Sequence, residues 1–571
     1  MDNEMITGSE VMMRALKAEG VTTIFGYPGG AIMPVYDMLY DYTRGEKKAF
    51  EHILVRHEQA AAHAAEGYAR VSGKVGVALV TSGPGATNTL TGVADAMMDS
   101  TPIVVIAGQV PISSLGTDAF QEVDLVGVSQ PISKWSYQIR RAEDIAWAVS
   151  RAFFIAKSGR PGPVVLDFAK NAQVEKIEYN PTKVNFVRSY VPSPTLNEEA
   201  VRKAADMINH AQRPLALVGQ GVELGDAHEE LKAFLEKADI PAGRTMLGLS
   251  ALSCNHPLNI GMLGMHGNYA PNKKEQECDV LIAIGMRFSD RVTGNLKTYA
   301  KQAKIIHLDI DKSEIDKNVK TDVAVVADCK LSLPAITALL EEKKHDEWKA
   351  SFIPLMKQEQ TKVIEPAIHP KEGMLLMGEV VNEVAEQTKG EAIVVTDVGQ
   401  NQLFTTRYSR FVHKRSLCTS GGLGTMGYGM PAAIGATYGN PDRMVLCFMG
   451  DGGFQMCMEE LGTIMEHERP VKMIMLNNHY LGNVRQWQDM FFERRKSFTK
   501  MKNPAYELIA QAYKIPYELV YQRENLSAAV ERMLNTPGAY ILECVILDDD
   551  DILPMTPPGC DIGDMLLEIH V

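Results

Sequence analysis

Residues 444–478 read MVLCFMGDGGFQMCMEELGTIMEHERPVKMIMLNN, and this stretch decides the fold. Its first apolar run, 444–449, predicts a buried strand that ends at the turn 450–453, where glycines permit a tight bend and close backbone approach to a ligand. A helix is predicted for 454–468, and a second apolar run, 471–476, predicts the next strand. Because strand-helix-strand crossovers are right-handed, the two strands are expected to be parallel. The stretch therefore indicates an α/β fold.

The residues that follow these two predicted strands point to a metal site. Asp451 and Asn478 lie where the strands end, and open α/β sheets bind ligands at the carboxyl ends of their strands. Carboxylate and amide oxygens are hard ligands suited to Mg²⁺, which leaves positions free for phosphates. The helix predicted after Gly453 would add free N–H groups for an anion. Either half alone is an ordinary turn, but the two together, 27 residues apart, predict a clamp for a metal and a diphosphate.

Length and composition exclude several classes of protein. The chain has 571 residues, and because single cores seldom exceed ~250 residues, three to four domains are expected. Its 45% hydrophobic and 23% charged residues are typical of a globular protein. The net charge of -13 argues against nucleic acid or an anionic membrane as a partner, since both require basic surfaces.

Targeting and redox features predict a cytoplasmic protein. The N-terminal residues lack a basic end followed by an apolar run, and no apolar run approaches the ~20 residues that span a bilayer. The eight cysteines form no CxxC pair and no dense framework. The simplest explanation is that they are reduced thiols in a reducing compartment. We therefore expect the cytoplasm of a bacterium-like cell.

Apolar strands and helical segments alternate in three sections of the chain. We predict three doubly wound, mainly parallel-sheet domains at 1–175, 195–340 and 372–571, separated by an irregular linker and a charged helical connector. In the first section, predicted strands run into the turns GYPGG at 26–30 and SGPGATN at 82–88. Loops that follow the strands of one such sheet gather on one edge, so these turns are expected to lie together.

Glu58 begins a predicted helix in the first section. A single acid at a helix start is ordinarily a solvated carboxylate favoured by the helix dipole, and that alternative stands for Glu58 taken alone. The block VRHEQAAAHAAEGYAR together with TSGPGATN resembles the pyrimidine-binding domain of thiamine diphosphate enzymes, and the GDGG and Asn-Asn pair resembles their diphosphate motif. The resemblance implies that Glu58 hydrogen-bonds the aminopyrimidine ring of the cofactor, since a protonated carboxyl can donate to a ring nitrogen.

Several motifs in series narrow the resemblance. YPGGA, RHEQAA, SGPGATN, GTDAFQE and SGRPGPV, in this order, resemble the large, catalytic subunit of the acetolactate synthase (acetohydroxyacid synthase) family, and the similarity covers essentially the whole chain. It implies thiamine diphosphate, Mg²⁺ and a mainly structural FAD as cofactors. It also implies condensation of pyruvate with a second pyruvate or 2-ketobutyrate, leading to branched-chain amino acids. A homodimer or homotetramer with a separate small regulatory subunit is expected on the same ground.

The resemblance assigns cofactor positions residue by residue. The metal would be held by Asp451, Asn478 and the backbone carbonyl of Tyr480. Thiamine diphosphate would be contacted by Glu58, Pro84, Asn88, Val398, Gly399, Gln400, Gly424, Met426, Gly450, Asp451, Gly452, Gly453 and Asn478. FAD would be contacted by Arg160, Met265, His266, Gly267, Arg287, Asp309 and Asp328. Without the resemblance, the glycines suit an ordinary core with tight turns, and Met426 suits a core gap.

Further positions are implied for catalysis and substrate binding. The reacting centre would lie near Glu58, Gly30, Gln121 and Lys170. The substrate channel would be lined by Phe120, Lys170, Met265, Arg291 and Trp487. Trp487 would favour 2-ketobutyrate as the second substrate, and the alternative is a tryptophan that anchors a core.

Several positions depart from the family pattern. Asn401 stands where the family has His, Ser289 where it has Asp, and Asn483 where it has Met. The segment Phe168-Ala169-Lys170-Asn171 replaces Leu-Pro-Lys-Asp. The change at Asn401 affects one diphosphate contact, although Asn can still donate a hydrogen bond. None of the changes touches the acid or the clamp, so activity is expected to survive.

Two other functions remain open at this point. A pyruvate oxidase shares the fold and both organic cofactors but uses the flavin for redox chemistry. A noncatalytic paralogue that acts as a regulatory module belongs to a different class. The filled acid and clamp positions disfavour this second alternative.

Overall fold

Three six-stranded sheets organise the chain, and the strand pairings within each sheet are parallel. The structure is a computed structural model, which describes residues 4–569. Residues 1–3 and 570–571, the extreme ends of the first and last predicted domains, lie outside the described residues. All three sheets carry helices on their faces, which is the doubly wound α/β arrangement.

The first domain contains the sheet nearest the N-terminus. Its strands are β1 (Met5–Thr7), β2 (Thr23–Gly26), β3 (Glu51–Leu54), β4 (Gly76–Val80), β5 (Ile103–Gln109), β6 (Trp135–Ile139), β7 (Val164–Ala169) and β8 (Lys176–Glu178). Its helices are α1 (Gly8–Ala18), α2 (Met33–Thr43), α3 (Glu58–Ser72), α4 (Pro84–Asn88), α5 (Leu90–Met98), α6 (Leu125–Ser129), α7 (Ile145–Lys157) and α8 (Lys170–Val174). The sheet order is β3-β2-β4-β5-β7-β6, and β1 pairs with β8 in a separate antiparallel ribbon. The loops after β2, β3 and β4 therefore share one edge.

The central domain repeats this architecture. Its strands are β9 (Pro214–Val218), β10 (Ala242–Arg244), β11 (Asn259–Met262), β12 (Val280–Ile284), β13 (Lys304–Asp309) and β14 (Val323–Val326), in the order β11-β10-β9-β12-β13-β14. Its helices are α9 (Glu198–His210), α10 (Gly221–Leu224), α11 (His228–Ala238), α12 (Tyr269–Glu275), α13 (Asp290–Thr293) and α14 (Cys329–Leu339). A helical connector follows, with α15 (Asp346–Ala350), α16 (Ile353–Glu359), a π-helical turn at Gln360–Ile364 and α17 (Glu365–Ile368).

The last domain contains the stretch that opened the sequence analysis. Its strands are β15 (Ile393–Thr396), β16 (Leu417–Cys418), β17 (Val445–Gly450), β18 (Val471–Asn477), β19 (Tyr517–Val520) and β20 (Tyr540–Val545), in the order β16-β15-β17-β18-β20-β19. Its helices are α18 (Met377–Thr388), α19 (Gln400–Tyr408), α20 (Gly429–Gly439), α21 (Asp451–Gln455), α22 (Leu461–Glu466), α23 (Gly482–Phe491), α24 (Tyr506–Ala512) and α25 (Arg523–Asn535). β17 and β18 are central and buried, as continuous apolar runs predict for parallel strands covered on both faces.

The single helix predicted for 454–468 is wrong. The chain becomes helical at Asp451, because Gly450 is still extended and the glycines that follow adopt helical angles. α21 ends after one turn, and Cys457, with φ -144°, interrupts the helical path before α22. The N-terminal end of the helix therefore lies at Asp451 rather than after Gly453.

The first and last domains meet through α3 and α20. These helices cross so closely that a Cβ added to Gly67 would lie 2.0 Å from the carbonyl oxygen of Ala432. A Cβ on Gly435 would lie 1.9 Å from the carbonyl oxygen of Ala64. Only small residues permit this approach, so the alanines and glycines of both helices create one core shared by the two domains.

Within residues 4–569, none of the helices has both the length and the apolar character required to cross a membrane.

Candidate active site

The metal-clamp residues lie side by side at one edge of the last sheet. β17 pairs with β18 in a register that sets Gly450 beside Leu476. Asp451 follows the first strand directly, and Asn478 follows the second. The sequence placed both residues at carboxyl ends of parallel strands, and the structure brings those ends together.

Asp451 is the central acceptor of this clamp. Its side chain is fully buried, and Oδ2 accepts a hydrogen bond from Asn503 Nδ2 at 2.7 Å. Oδ1 is also buried, and among the described residues it has no hydrogen-bond partner. Burial raises the pKa of Asp451, and the hydrogen bond from Asn503 opposes this rise. A buried carboxylate oxygen without a donor is the arrangement that a cation would satisfy.

Asn478 and its neighbours form the second side of the clamp. Asn478 Oδ1 accepts from the backbone N–H of Tyr480 at 3.2 Å, and its Nδ2 donates to Gln400 Oε1 at 3.2 Å. Gln400 in turn donates to Gln486 and to the carbonyl oxygen of Asp550. These bonds orient the Asn478 amide, so an oxygen and a fixed backbone segment stand beside Asp451.

The glycines of the clamp allow other side chains to approach. A Cβ on Gly452 would lie 3.5 Å from Met426 Cε and 3.4 Å from Met501 Sδ. A Cβ on Gly453 would lie 2.3 Å from Asp397 Oδ1. Met426 therefore lies directly over the start of α21. The predicted contacts Val398, Gly399, Gly424 and Gly450 surround the same edge of the sheet. A Cβ on Gly424 would lie 4.0 Å from Val398 Cγ1, and one on Gly450 would lie 3.5 Å from Asn401 Nδ2.

The predicted residues of the first domain form a second group. Glu58 begins α3, and its Oε2 accepts from Asn88 Nδ2 at 2.9 Å. Pro84 begins α4, the short helix that contains Asn88. Gly83 lies against Gln121, because a Cβ there would be 2.9 Å from the Gln121 backbone. The turns after β3 and β4 are thus gathered around the Glu58 carboxylate.

Gly30, Lys170 and Phe120 complete this first-domain group. Lys170 Nζ donates to the carbonyl oxygen of Gly30 at 3.1 Å, which ties the start of α8 to the turn after β2. Phe120 is 88% exposed, and Lys170 is exposed as well. A large apolar ring so open to solvent is unusual on a folded domain and marks a surface that contacts something else.

Glu460 is a residue of the site that the sequence did not reveal. It is buried, and its Oε1 accepts from the backbone N–H groups of Arg56 and His57, at 2.8 and 2.9 Å. Burial raises the pKa of Glu460 to about 7. The last domain thereby fixes the backbone immediately before Glu58. Asn503, which donates to Asp451, was missed as well, and no local pattern distinguishes either residue.

A cavity of about 760 Å³ lies between the three domains. Its wall includes most positions predicted to contact FAD, together with Val398, Gly399 and Gly424 of the last domain. The FAD positions on the wall are Arg160, Met265, His266, Arg287, Asp309 and Asp328. Gly267 is not on the wall, and its carbonyl oxygen accepts from Arg407 at 3.0 Å. The volume lies in the upper range of ligand pockets.

Hydrogen bonds fix the position of the charged groups on the cavity wall, and burial shifts their pKa values. Arg160 donates to Ser100 and to Glu314, both at 2.8 Å. Burial lowers the pKa of Arg287 and raises that of Asp309 to about 7. Burial also lowers the pKa of His266 to about 3, so that this ring is neutral at physiological pH.

Arg291 and Trp487 lie together on the same wall. The Arg291 guanidinium is 5.9 Å from the centre of the Trp487 ring, and its Nη1 is 3.9 Å from Met265 Sδ. Trp487 also packs edge-on against Phe491 at 5.9 Å. Its indole N–H is buried and, within the described part of the chain, unpaired. Trp487 is therefore a wall residue of the cavity and not the centre of a core cluster.

The predicted site residues thus fall into two groups within one chain. The cavity wall, as defined by residues 4–569, excludes Gly30, Glu58, Phe120, Gln121 and Lys170. Asp451 and Asn478 are not on this wall either, but their side of the last domain reaches it through Val398, Gly399 and Gly424. Glu58, by contrast, is bonded within the first domain, to Asn88. Of the departures, Asn401 donates to the carbonyl oxygen of Val398 at 3.0 Å, while Ser289 and Asn483 lie on the cavity wall.

Comparisons with known proteins agree with this arrangement of domains. Residues 6–128 match the family described as thiamine pyrophosphate enzyme, N-terminal TPP binding domain. Residues 201–336 match the central domain of these enzymes, and residues 397–544 match the C-terminal TPP binding domain. The chain is 41% identical over 562 residues to the acetolactate synthase isozyme 2 large subunit of Escherichia coli, an alignment that covers 98% of this chain and 99% of that one.

The chain belongs to the acetolactate synthase large-subunit family of thiamine pyrophosphate enzymes. Similarity within this family extends across the domains of life. A probable acetolactate synthase large subunit of Methanocaldococcus jannaschii is 42% identical, with 99% of this chain and 96% of the relative aligned. Acetolactate synthase 2, chloroplastic, of Nicotiana tabacum is 40% identical, with 98% and 85% aligned.

Proposed function

We propose that the protein is the catalytic subunit of an acetolactate synthase that uses thiamine diphosphate, Mg²⁺ and FAD. It would remove CO₂ from pyruvate and join the remaining two-carbon unit to a second pyruvate or to 2-ketobutyrate, the first common step towards branched-chain amino acids. The observation that carries the proposal is the buried, unpartnered Asp451 Oδ1 beside Asn478, in a chain of this family.

The clamp residues suit a divalent metal and a diphosphate. Asp451, Asn478 and the Tyr480 carbonyl would hold Mg²⁺, because carboxylate, amide and carbonyl oxygens are the ligands it takes from proteins. The backbone N–H groups of Gly452 and Gly453 lie in the first turn of α21, where free donors suit an anion.

Glu58 and the cavity wall would act on the organic ligands. When bound, thiamine diphosphate supplies the nucleophilic carbon and accepts the electrons released with CO₂. Glu58, held by Asn88, would exchange a proton with the aminopyrimidine ring. Arg291 would place a positive charge near the carboxylate of the incoming 2-keto acid, and Trp487 beside it would offer apolar surface to a 2-ketobutyrate methyl group.

The central cavity suits a dinucleotide in size and in charge. Arg160 and Arg287 would bind its phosphates, because guanidinium groups match phosphate geometry. Asp309 ends β13 and Asp328 follows β14, the neighbouring parallel strand, and dinucleotide-binding sheets place ribose contacts at such strand ends. FAD bound there would be mainly structural.

The separation of the two residue groups supports a homodimer or homotetramer. Glu58 and the clamp would meet across the contact between two copies, which would also cover Phe120. A separate small regulatory subunit and a cytoplasmic location complete the proposal. The relatives are named as large subunits, which supports a small partner.

Product analysis tests the proposed reaction. Purified protein would be supplied with pyruvate, with and without 2-ketobutyrate, in the presence of the three cofactors. We expect acetolactate, replaced by acetohydroxybutyrate when 2-ketobutyrate is added, with no oxygen uptake. Acetate or acetyl phosphate with matched oxygen uptake would identify a pyruvate oxidase instead. Failure to bind thiamine diphosphate would favour a noncatalytic regulatory paralogue.

A further inference from the structure

The segment Ser420–Gly427, here called the glycine loop, carries two of the predicted cofactor contacts. It joins β16 to α20 and contains Gly424 and Met426. Gly424 and Gly427 have positive φ angles of 75° and 86°, which side chains disfavour. A loop with this glycine content has many accessible conformations, so it requires external contacts to keep Met426 over α21.

The first domain supplies such contacts through Asp99. Its Oδ2 accepts the backbone N–H of Gly421 at 2.8 Å, and its Oδ1 accepts that of Gly422 at 2.7 Å. Arg70 of α3 donates to the same carboxylate at 2.7 Å. Asp99 is 1% exposed, so these donors have no water to replace it.

Asp95 holds the glycine loop by a second route. Its Oδ1 accepts from Ser420 Oγ at 2.8 Å. Ser420 Oγ in turn accepts from the N–H groups of Gly424 and Thr425, at 3.0 and 2.9 Å. One side chain from α5 therefore orients a hydroxyl that fixes the backbone at the predicted cofactor contact.

The last domain supplies the contacts at the far end of the loop. Asp397 accepts the N–H of Gly427 at 3.0 Å and that of Gly429 at 2.9 Å. Buried carboxylates of two different domains thus bind the two ends of the glycine loop. Its first half depends on the first domain, although the cofactor contacts themselves belong to the last.

We propose that Asp95 and Asp99 are positioning residues for thiamine diphosphate, which hold the glycine loop of the last domain in its binding conformation. The inference rests on the proposed function, since it concerns the same cofactor site. It adds that the first domain of a chain prepares the diphosphate half-site of that same chain, independently of Glu58.

The test combines amide hydrogen exchange in cofactor-free protein with thiamine diphosphate affinity, measured by quenching of tryptophan fluorescence. For Asp99→Ala we expect exchange of the glycine loop to accelerate at least tenfold and the Kd for thiamine diphosphate to rise ten- to a hundredfold. At saturating cofactor, the KM for pyruvate should stay within about twofold of the wild-type value. Asp99→Asn keeps one acceptor and the side-chain shape, so it should give smaller changes in the same direction if the alanine variant fails to fold.

A matched pair at Asp95 isolates the hydrogen bond. Burial and the Glu66 carboxylate raise the pKa of Asp95 to about 8, so an asparagine mimics the protonated acid and keeps an acceptor for Ser420. We expect Asp95→Asn to behave as wild type in both measurements and Asp95→Ala to behave as Asp99→Ala. Equal behaviour of the two Asp95 variants would overturn the proposal.

Glu10→Gln provides the control for stability. Glu10 is a buried carboxylate of the same domain, 3% exposed, whose bonds go to Arg14, Tyr42 and Lys47. The variant should lower the thermal midpoint without changing loop exchange or cofactor affinity. If Glu10→Gln changes both readouts, or Asp99→Ala changes neither, the inference is wrong. If wild-type protein does not bind thiamine diphosphate, the proposed function fails, whereas loop exchange still measures the contact.

Discussion

The clamp of the last domain and the acid group of the first domain differ in what surrounds them. Asp451 and Asn478 are fully or almost fully buried, and the groups that hold them come from their own domain. Near Glu58, by contrast, Phe120 and Lys170 are open to solvent. The clamp is therefore enclosed within its own domain, whereas the acid group lies beside an exposed surface, which the proposed dimer would cover.

The clamp half should respond most strongly to a change of one atom. In Asp451→Asn the buried negative charge disappears while the side-chain shape stays. We expect activity to be lost and the Kd for thiamine diphosphate with Mg²⁺ to rise more than about 100-fold, since even groups behind metal ligands contribute 10–100-fold. Because burial raises the pKa of Asp451, removing the charge relieves a desolvation cost, so the cofactor-free variant should melt no lower than wild type. Calorimetry and cofactor titration measure both effects, and a lower melting point with normal cofactor affinity would refute the assignment.

Substitution of Glu58 should have the next largest effect, and it should lower the turnover rate more than the affinity for the cofactor. For Glu58→Gln we expect kcat to fall about 100-fold, the lower range for loss of a proton-transfer group, with thiamine diphosphate affinity changed less than about tenfold. Steady-state rates and a cofactor titration separate the two quantities. Asn88→Ala, which removes only the hydrogen bond to Glu58, is the matched comparison and should reduce kcat less. An unchanged kcat in Glu58→Gln would contradict the role.

Mixing the two variants tests whether the halves come from different copies. A dimer with one Glu58→Gln chain and one Asp451→Asn chain would have one intact site, if each site takes its acid from one chain and its clamp from the other. Random reassociation would then restore about a quarter of wild-type activity, since half of the dimers are mixed and each has one working site of two. Differently tagged chains allow mixed dimers to be isolated. If isolated mixed dimers are inactive, each chain contains its own complete site.

Glu460 links the halves within one chain and should give the smallest effect. Burial raises the pKa of this carboxyl from 4.5 to about 7. Between these two pH values the folded state therefore holds a proton that the unfolded state has released. That contribution to stability is complete below the unfolded pKa and is lost as pH rises through 7. Glu460→Gln keeps acceptors for Arg56 and His57, so its stability relative to wild type should increase by about 2 kcal/mol between pH 5.5 and 8. Chemical denaturation at both pH values measures this, and a constant difference would show that Glu460 does not titrate there.

Local sequence patterns predicted the strands that end at the clamp, but they did not predict the contacts between domains. The bounds of β17 and β18 follow from their apolar runs within one residue, because strands covered on both faces are mainly apolar. Lys472 in β18 is the exception, and its buried ammonium donates to backbone carbonyl oxygens at Thr536 and Gly538. The helix predicted after Gly453 was wrong because its length was taken from spacing alone, and the chain breaks at Cys457 so that Glu460 reaches the first domain.

The roles of Asp95, Asp99 and Glu460 could not be predicted for a physical reason. Each accepts a hydrogen bond from a residue more than 300 positions away in the chain. The separations are 325 for the Ser420 hydroxyl, and 323 and 404 for the backbone N–H groups of Gly422 and Arg56. No local period encodes such a partner. The family resemblance assigned positions that touch cofactors, and it said nothing of the residues that hold those positions in place.

Helices α3 and α20 meet through backbone at Gly67 and Gly435, with no layer of side chains between them. A shift of one helix along the other would bring a Cβ atom against backbone at these two positions, so close packing there opposes sliding. The crossing therefore favours joint displacement of the two domains over a hinge between them. Glu58 stands at one end of α3, and Arg70, which holds Asp99, stands near the other. In a dimer, displacement of the acid at one site would shift the glycine loop that serves the other.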